Sequence, residues 1–292
     1  MNDLDEIFVT SAERQTSPSP KKKDWKEERN ALFKLADDTA VEAVFSGENF
    51  RKYLEIQSKF DRYSATNALL IMAQKPEATQ LRDFNSWQEA GVQIKKDEKS
   101  ISIFEPGKEY KSNSGETKKY FNVRKVFDIS QTTAQPETEP KLAVDEKLLL
   151  KALIHRAPVS IQMVDSLERN RGALYNHEQK TLFVIRGMSA PDIFRNVSQE
   201  LAHAELAALR KEYRRSDCEF SAYCASFILC EKNGIDTNNY NFSRIPDSIR
   251  NMEPKEIREV LTEIRETAAN ISERMSRLLE HGKPPKQNEQ ER

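Results

Sequence analysis

A long amphipathic helix in the second half of the chain places the strongest constraint on how this sequence can fold. Its start is marked by Ser189-Ala190-Pro191-Asp192, with serine as the cap, proline at the beginning and an acid at the third position. Apolar side chains then recur every three or four residues, at Phe194, Val197, Leu201, Ala204 and Ala208. This spacing predicts a helix that packs one side against a core.

Within that helix, Gln199-Glu200-Leu201-Ala202-His203 differs from the zinc-peptidase motif H-E-x-x-H at its first position. In that motif, two histidines one turn apart bind zinc, and the glutamate activates a metal-bound water. Glu200 and His203 keep the positions of the general base and the second histidine. Gln199 offers only a neutral amide, which is a poor substitute for imidazole at zinc. A glutamate and a histidine at the spacing of Glu200 and His203 also occur by chance on many helices, as surface polar residues.

Charge and cysteine usage limit the classes of protein that the chain can belong to. The net charge is −1 over 292 residues, so a nucleic-acid-binding surface would need local clustering of basic residues. The three cysteines lie six positions apart, which matches no zinc or disulfide framework and fits a reducing cytosol. No apolar run is long enough to span a membrane. We therefore expect a cytoplasmic protein with no membrane partner.

The hydrophobic period changes along the chain from helical to alternating. Residues 25–74 follow a helical spacing, with Ser64 as the cap of a helix over 66–74. A short helix is predicted over 82–89, and residues 100–104 and 120–127 alternate as the strands of a hairpin. Residues 159–164 and 181–186 are further predicted strands, Leu174-Tyr175 leads into a turn, and Asn233-Gly234 ends a helix that begins at Ser216. The fold class is therefore α+β. We expect a helical and small antiparallel-sheet N-terminal domain, then a second α+β domain and a C-terminal helix. The predicted divisions are a disordered tail at 1–24, a first domain at 25–131, a linker at 132–140, a second domain at 141–250, a C-terminal helix at 251–281 and a disordered tail at 282–292.

The first predicted domain has the composition of a single-strand binder, because aromatic residues are interleaved with lysines and arginines. Cations neutralise phosphates, and exposed rings stack on unpaired bases. Most of these rings would also be core residues in any small α+β domain. The residues concerned are Tyr63, Trp87, Phe104, Tyr120, Phe121 and Phe127, with Lys95, Lys96, Lys99, Lys118, Lys119, Arg124 and Lys125.

Several motifs in order give this region a resemblance to a known family. The segments 60–64, 67–74, 84–87 and 95–103 resemble the N-terminal domain of the ArdC anti-restriction family, which LtrC-like proteins of mobile elements share. The resemblance implies single-stranded DNA binding, and the candidate DNA-binding residues by position are Tyr63, Asn67, Trp87, Lys95, Lys96 and Lys99. The sequence departs from the family's basic turn, where Asp97 and Ser100 stand in place of two glycines.

The same family carries a zincin-like metallopeptidase domain after the first domain, and residues 159–236 resemble it. The resemblance implies Glu200 as the catalytic base and His203 and Glu219 as metal ligands, with Gln199 in place of the first histidine. Glu219 also fits a capping box with Ser216, which would be a structural reason for that carboxylate. Because one imidazole ligand is absent, we expect a degenerate metallopeptidase that is not an enzyme. No cofactor is expected, with zinc as the alternative.

The function that the sequence predicts is therefore a single-stranded DNA-binding protein of a mobile or conjugative element, with an inactive zincin-like domain. The first alternative is an active zinc metallopeptidase with a DNA-binding N-terminal domain. The second alternative is a protein-interaction module that uses the C-terminal helices to contact a protein partner. A simpler interpretation of the helix over 254–280 is that Ile257, Val260, Leu261, Ile264 and Ile271 pack it onto its own domain.

Overall fold

A computed structural model describes residues 25–111, 117–134 and 145–281. The predicted tails at 1–24 and 282–292, and most of the predicted linker, lie outside these residues. The described elements form an α+β fold, as the sequence predicted. None of the described helices is long and apolar enough to cross a membrane.

Three helices open the described chain: α1 (Trp25–Phe45), α2 (Gly47–Lys59) and α3 (Ala65–Gln74). Serine caps set the starts of α2 and α3, because the side chain of Ser46 accepts from Asn49 N–H and that of Ser64 accepts from Asn67 N–H. The cap at Ser64 confirms the prediction from sequence. The helices bury a large apolar surface, which includes Phe50, Tyr53, Leu54, Leu69 and Ile71.

A three-stranded antiparallel sheet follows, with β1 (Leu81–Asp83), β2 (Ile101–Lys111) and β3 (Thr117–Asp128) in the order β1-β3-β2. The predicted hairpin is present, with Ile101 opposite Val126 and Pro106 opposite Phe121. The predicted helix over 82–89 begins two residues late, at α4 (Phe84–Glu89). Residues 82 and 83 are paired with β3 instead, and the Asp83 side chain caps α4 by accepting from Ser86 N–H.

Two side chains of α3 cover the outer edge of β2. Asn67 donates to Phe104 O and accepts from Phe104 N–H, both at 2.8 Å. Gln74 forms the same pair of hydrogen bonds with the backbone of Ser102, both at 2.9 Å. The two amides thereby take the place of a further strand and satisfy backbone groups that an edge strand would otherwise leave open.

The second half begins with α5 (Glu146–Ile154) and a sheet of β4 (Ser160–Val164), β5 (Ala173–Asn176) and β6 (Thr181–Ile185) in the order β4-β6-β5. β4 is parallel to β6, and β5 is antiparallel to it. The sequence predicted β4 and β6 but described the residues of β5 only as leading into a turn. β5 is four residues long, too short for a clear alternating pattern.

Helices α6 (Ala190–Leu209) and α7 (Arg215–Asn233) pack against each other, followed by the short α8 (Asp247–Arg250) and the long α9 (Pro254–His281). The cap of α6 at Ser189 and the end of α7 at Gly234, where φ is 71°, are as predicted. The predicted start of α7 at Ser216 is wrong. The helix begins one residue earlier with no side-chain cap, so a capping box with Glu219 is not formed.

One hydrophobic core runs through both halves of the chain. Helix α9 packs against α1, α3, α5, α6 and α7, and α2 packs against α7. The buried residues of α9 include Ile257, Leu261, Ile264 and Ile271, so the predicted packing face of this helix is confirmed. The apolar side of α9 is therefore used inside the protein.

Candidate functional site

Helices α6 and α7 bring the residues of the degenerate motif together. Gln199, Glu200 and His203 project from α6, and Glu219 projects from α7. The two helices are joined further along by Ser198 and Ser226, whose hydroxyl oxygens lie 2.7 Å apart in a buried hydrogen bond. Because both partners are buried, this contact fixes the register of one helix against the other.

His203 is completely buried, and each of its ring nitrogens faces a different polar group. Nδ1 lies 3.0 Å from the hydroxyl of Tyr213. Nε2 lies 3.3 Å from Oε2 of Glu219, close but not aligned for a hydrogen bond. Two donors about 2.1 Å from one tetrahedral zinc ion would be separated by about 3.4 Å, close to the observed distance. His203 and Glu219 therefore stand at the separation of two ligands of one metal.

Glu219 is a half-exposed carboxylate surrounded by donors and positive charge. Its Oε1 accepts from Nε2 of Gln199 at 3.1 Å, so the residue in the first-histidine position contacts the predicted third ligand. Contact with His203 lowers the pKa of Glu219 below its ordinary value, and the charge of Arg215 acts in the same direction, whereas partial burial opposes both. Glu219 is thus held in its ionised form.

Glu200, the predicted catalytic base, is buried and fully engaged. One oxygen accepts from the backbone N–H of Tyr175 at 2.7 Å and from Nη1 of Arg215 at 2.8 Å. The other accepts from Nη2 of Arg215 at 2.5 Å, which completes a bidentate ion pair. Both oxygens of Glu200 therefore already have donors, which disfavours a role as the base toward a water molecule.

The residues at this site do not fit a zinc ion. Within the three described ranges, no three His, Cys, Asp or Glu side chains converge to hold a metal. Gln199 contributes an amide, and Nε of Arg215 lies 3.3 Å from the same Glu219 oxygen that faces His203. A metal bound there would share that oxygen with a permanent cation. Arg215 was not among the predicted site residues, although its position one helical turn before Glu219 could have indicated it.

The predicted DNA-binding lysines lie on a turn that precedes β2. Lys95, Lys96 and Lys99 are all exposed, and Nζ of Lys95 donates to Ser130 O at 3.0 Å. Asp97, which stands in place of a family glycine, has φ 65°. Aspartate tolerates this left-handed conformation better than most residues, so the turn is kept without glycine there.

Two other predicted DNA-binding residues are used in packing. Trp87 is only 2% exposed, and its Nε1–H donates to Phe127 O at 3.0 Å. The guanidinium of Arg82 lies 4.9 Å from the centre of its ring and covers it. Asn67 is buried, and its amide is occupied by the backbone of Phe104. Neither side chain presents a free surface to a base.

Tyr63 lies in an open groove between α3, α4 and the first sheet. It is half-buried, with its ring edge-on to Phe60. The groove has two adjoining parts that share Tyr63 and Arg124; Arg82 lines one part, and Arg62 and Phe121 line the other. The Phe121 ring is 42% exposed. Aromatic rings and guanidinium groups therefore line the same groove.

Acidic side chains partly neutralise the positive charge of this groove. Arg124 forms ion pairs with Asp83 and with Glu105. The backbone N–H of Ser86, together with Arg124, lowers the pKa of Asp83 to about 2. The groove also contains Arg265 and Glu89, so its arginines only slightly outnumber its acids. Affinity for a polyanion here would depend on stacking as well as on charge.

Comparison with known proteins finds a family model that matches part of the chain, a longer relative and similar crystal structures. Residues 19–141 match the N-terminal domain of anti-restriction factor ArdC. An uncharacterized Bacillus anthracis protein, pXO2-81, is 24% identical over an alignment of 342 positions, gaps included, that covers 97% of this chain. The chain spans only 58% of the length of that relative.

Two crystal structures of the antirestriction protein ArdC from plasmid R388 are similar to the fold. The Mn(II)-bound structure has a TM-score of 0.50 and 16% identity, and the match covers 76% of this chain and 86% of ArdC. The metal-free structure has a TM-score of 0.49 and 18% identity, with 76% and 87% covered. At such low identity, the Mn(II)-bound structure shows a shared fold and no more.

Proposed function

We propose that this chain, whose residues 19–141 match the N-terminal domain of anti-restriction factor ArdC, is a cytoplasmic single-stranded DNA-binding protein of a mobile or conjugative element. The observation that carries the proposal is the family match over residues 19–141, which includes the lysine turn and the Tyr63 groove. The Mn(II)-bound ArdC structure of similar fold is that of a plasmid protein, which supports the proposed origin.

The Tyr63 groove supplies the two kinds of contact that a single strand needs. The exposed ring of Phe121 and the half-buried ring of Tyr63 are surfaces on which unpaired bases can stack, and such stacking is tolerant of sequence. Arg62 is exposed at the same groove and can contact a phosphate. We place Tyr63, Phe121 and Arg62 at the centre of the proposed DNA site.

The lysine turn supplies additional positive charge to the proposed DNA site. Its three lysines are exposed, whereas Arg124 in the groove is already paired with two acids. Free surface cations contribute to binding by releasing counterions from the phosphates that they contact. The lysines should therefore account for much of the salt dependence of binding, and the rings for much of the affinity that remains at high salt.

The direct test is a fluorescence-anisotropy titration of the purified protein with labelled oligonucleotides. Single strands of mixed sequence should bind more tightly than a duplex of the same sequence, and their binding should weaken as salt is added. Equal affinity for single strands and duplex would refute the proposal, and so would binding that does not respond to salt.

A second candidate function, an active metallopeptidase, is favoured by the 3.3 Å separation of His203 and Glu219. The Mn(II)-bound structure of R388 ArdC shows that a similar fold can contain a metal. The ion pair between Glu200 and Arg215 opposes this function, because it occupies the base. Stoichiometric metal in the purified protein, with peptidase activity that is lost in Glu200→Gln, would establish the second function instead.

A further inference from the structure

We infer that Arg215 is the built-in cation of the site between α6 and α7, and that its guanidinium takes the place of the metal ion of an H-E-x-x-H site. Its two terminal nitrogens bind Glu200, and its Nε lies 3.3 Å from Glu219. One guanidinium therefore faces both carboxylates of the site. This inference goes beyond DNA binding and does not depend on it.

The burial of Glu200 is the reason that a cation is needed at this position. Its side chain is 6% exposed, and a buried carboxylate without a positive partner is costly. In a zinc peptidase the metal supplies positive charge beside the motif glutamate. Here Arg215 supplies it with two aligned N–H donors, a geometry that guanidinium and carboxylate share. The charge of buried Glu200 is therefore balanced by another residue of the same chain.

Gln199 and Arg215 act together in this arrangement. The amide of Gln199 donates to Oε1 of Glu219, while Arg215 approaches Oε2 of the same carboxylate. Both oxygens of Glu219 thus have partners that an imidazole at position 199 and a metal would displace. It follows that Gln199→His alone would not restore metal binding, because the cation at position 215 would still repel the metal.

The experiment compares four proteins: the natural chain, Gln199→His, Arg215→Met, and the double variant with both changes. Each is titrated with zinc chloride by isothermal calorimetry, and bound metal is measured by atomic emission after dialysis. The double variant should retain about one zinc ion per chain and bind it at least about 100-fold more tightly than Gln199→His. Equal zinc affinity in Gln199→His and the double variant would overturn the inference, as would stoichiometric zinc in the natural chain.

A matched control uses Arg210, which forms a bidentate pair with Glu263 through Nη2 and Nε and is similarly exposed, 31% against 24%. Gln199→His with Arg210→Met should remain unable to bind zinc. If this control binds zinc as the double variant does, general loosening explains the result and the inference is wrong.

A triple variant, Gln199→His with Glu200→Gln and Arg215→Met, guards against misfolding. It removes both members of the buried ion pair, so no uncompensated charge remains, and it keeps the three ligand positions. It should bind zinc, and its melting temperature should rise on zinc addition. A folded triple variant without zinc binding would contradict the inference. Single-strand affinity, measured on the same samples, reports separately on the proposed DNA function.

Discussion

Neutralising the lysine turn should change the salt dependence of DNA binding by an amount that the structure allows one to calculate. Lys95, Lys96 and Lys99 are exposed, and none of them is buried in the core, so changing all three to glutamine should leave the fold intact. Each phosphate contact to a single strand contributes about 0.7 to the slope of log affinity against log salt. Loss of three contacts should therefore reduce the steepness of the slope by about 2.

The corresponding change in affinity is large enough to measure by anisotropy. Between about 50 and about 200 mM salt, a slope difference of about 2 means that the natural protein loses about 20-fold more affinity than the variant. A matched control changes Lys147, Lys151 and Lys255, which are exposed on α5 and α9, and its slope should equal that of the natural protein. A variant that binds more weakly with an unchanged slope would show that the lysines do not contact phosphates.

Three further predictions concern single side chains. Phe121→Ala should weaken single-strand binding by about 5- to 150-fold in the same titration, because one stacked base contributes about 1–3 kcal/mol. The control is Phe45→Ala, which changes an exposed phenylalanine outside the groove and should have no effect. Asn67→Ala should lower the free energy of unfolding in urea by about 2–4 kcal/mol, because two backbone groups of Phe104 lose their partner; a loss below about 1 kcal/mol would show that water replaces the amide. Asp83, whose pKa is lowered to about 2, stabilises the fold while it is ionised. The stability advantage over Asp83→Asn should therefore be constant above the usual aspartate range and decline as pH falls toward 2, and an advantage that grows on acidification would contradict the assignment.

The features that could be predicted from the sequence are those set by local chemistry. The start of α6 depends on Ser189 and the residues directly after it, and the end of α7 depends on Gly234. The hairpin of β2 and β3 follows from alternating side chains, which show which face of each strand is buried. In each case the signal and the structure that it determines lie within a few residues of each other.

The features that could not be predicted depend on partners distant in the sequence. β1 is a strand because β3, more than 40 residues later, pairs with it. Asn67 matched a family motif, but its role comes from the edge of β2, which the motif does not reveal. Glu200 matched a catalytic motif, and only the packing of α6 on α7 shows that Arg215 binds it. The motif thus indicated the residues of the site between α6 and α7, but it did not indicate that an arginine supplies the positive charge there.

The position of α9 has a consequence for how the protein is made. This helix is the last described element, yet it covers the first, because Arg258 pairs with Asp37 at 2.7 Å and packs over the ring of Phe33. During translation the early helices leave the ribosome long before their covering helix is synthesised. Their apolar faces therefore lack this cover until α9 has been synthesised, and the rate of translation between α1 and α9 sets how long those faces are exposed to chaperones and proteases.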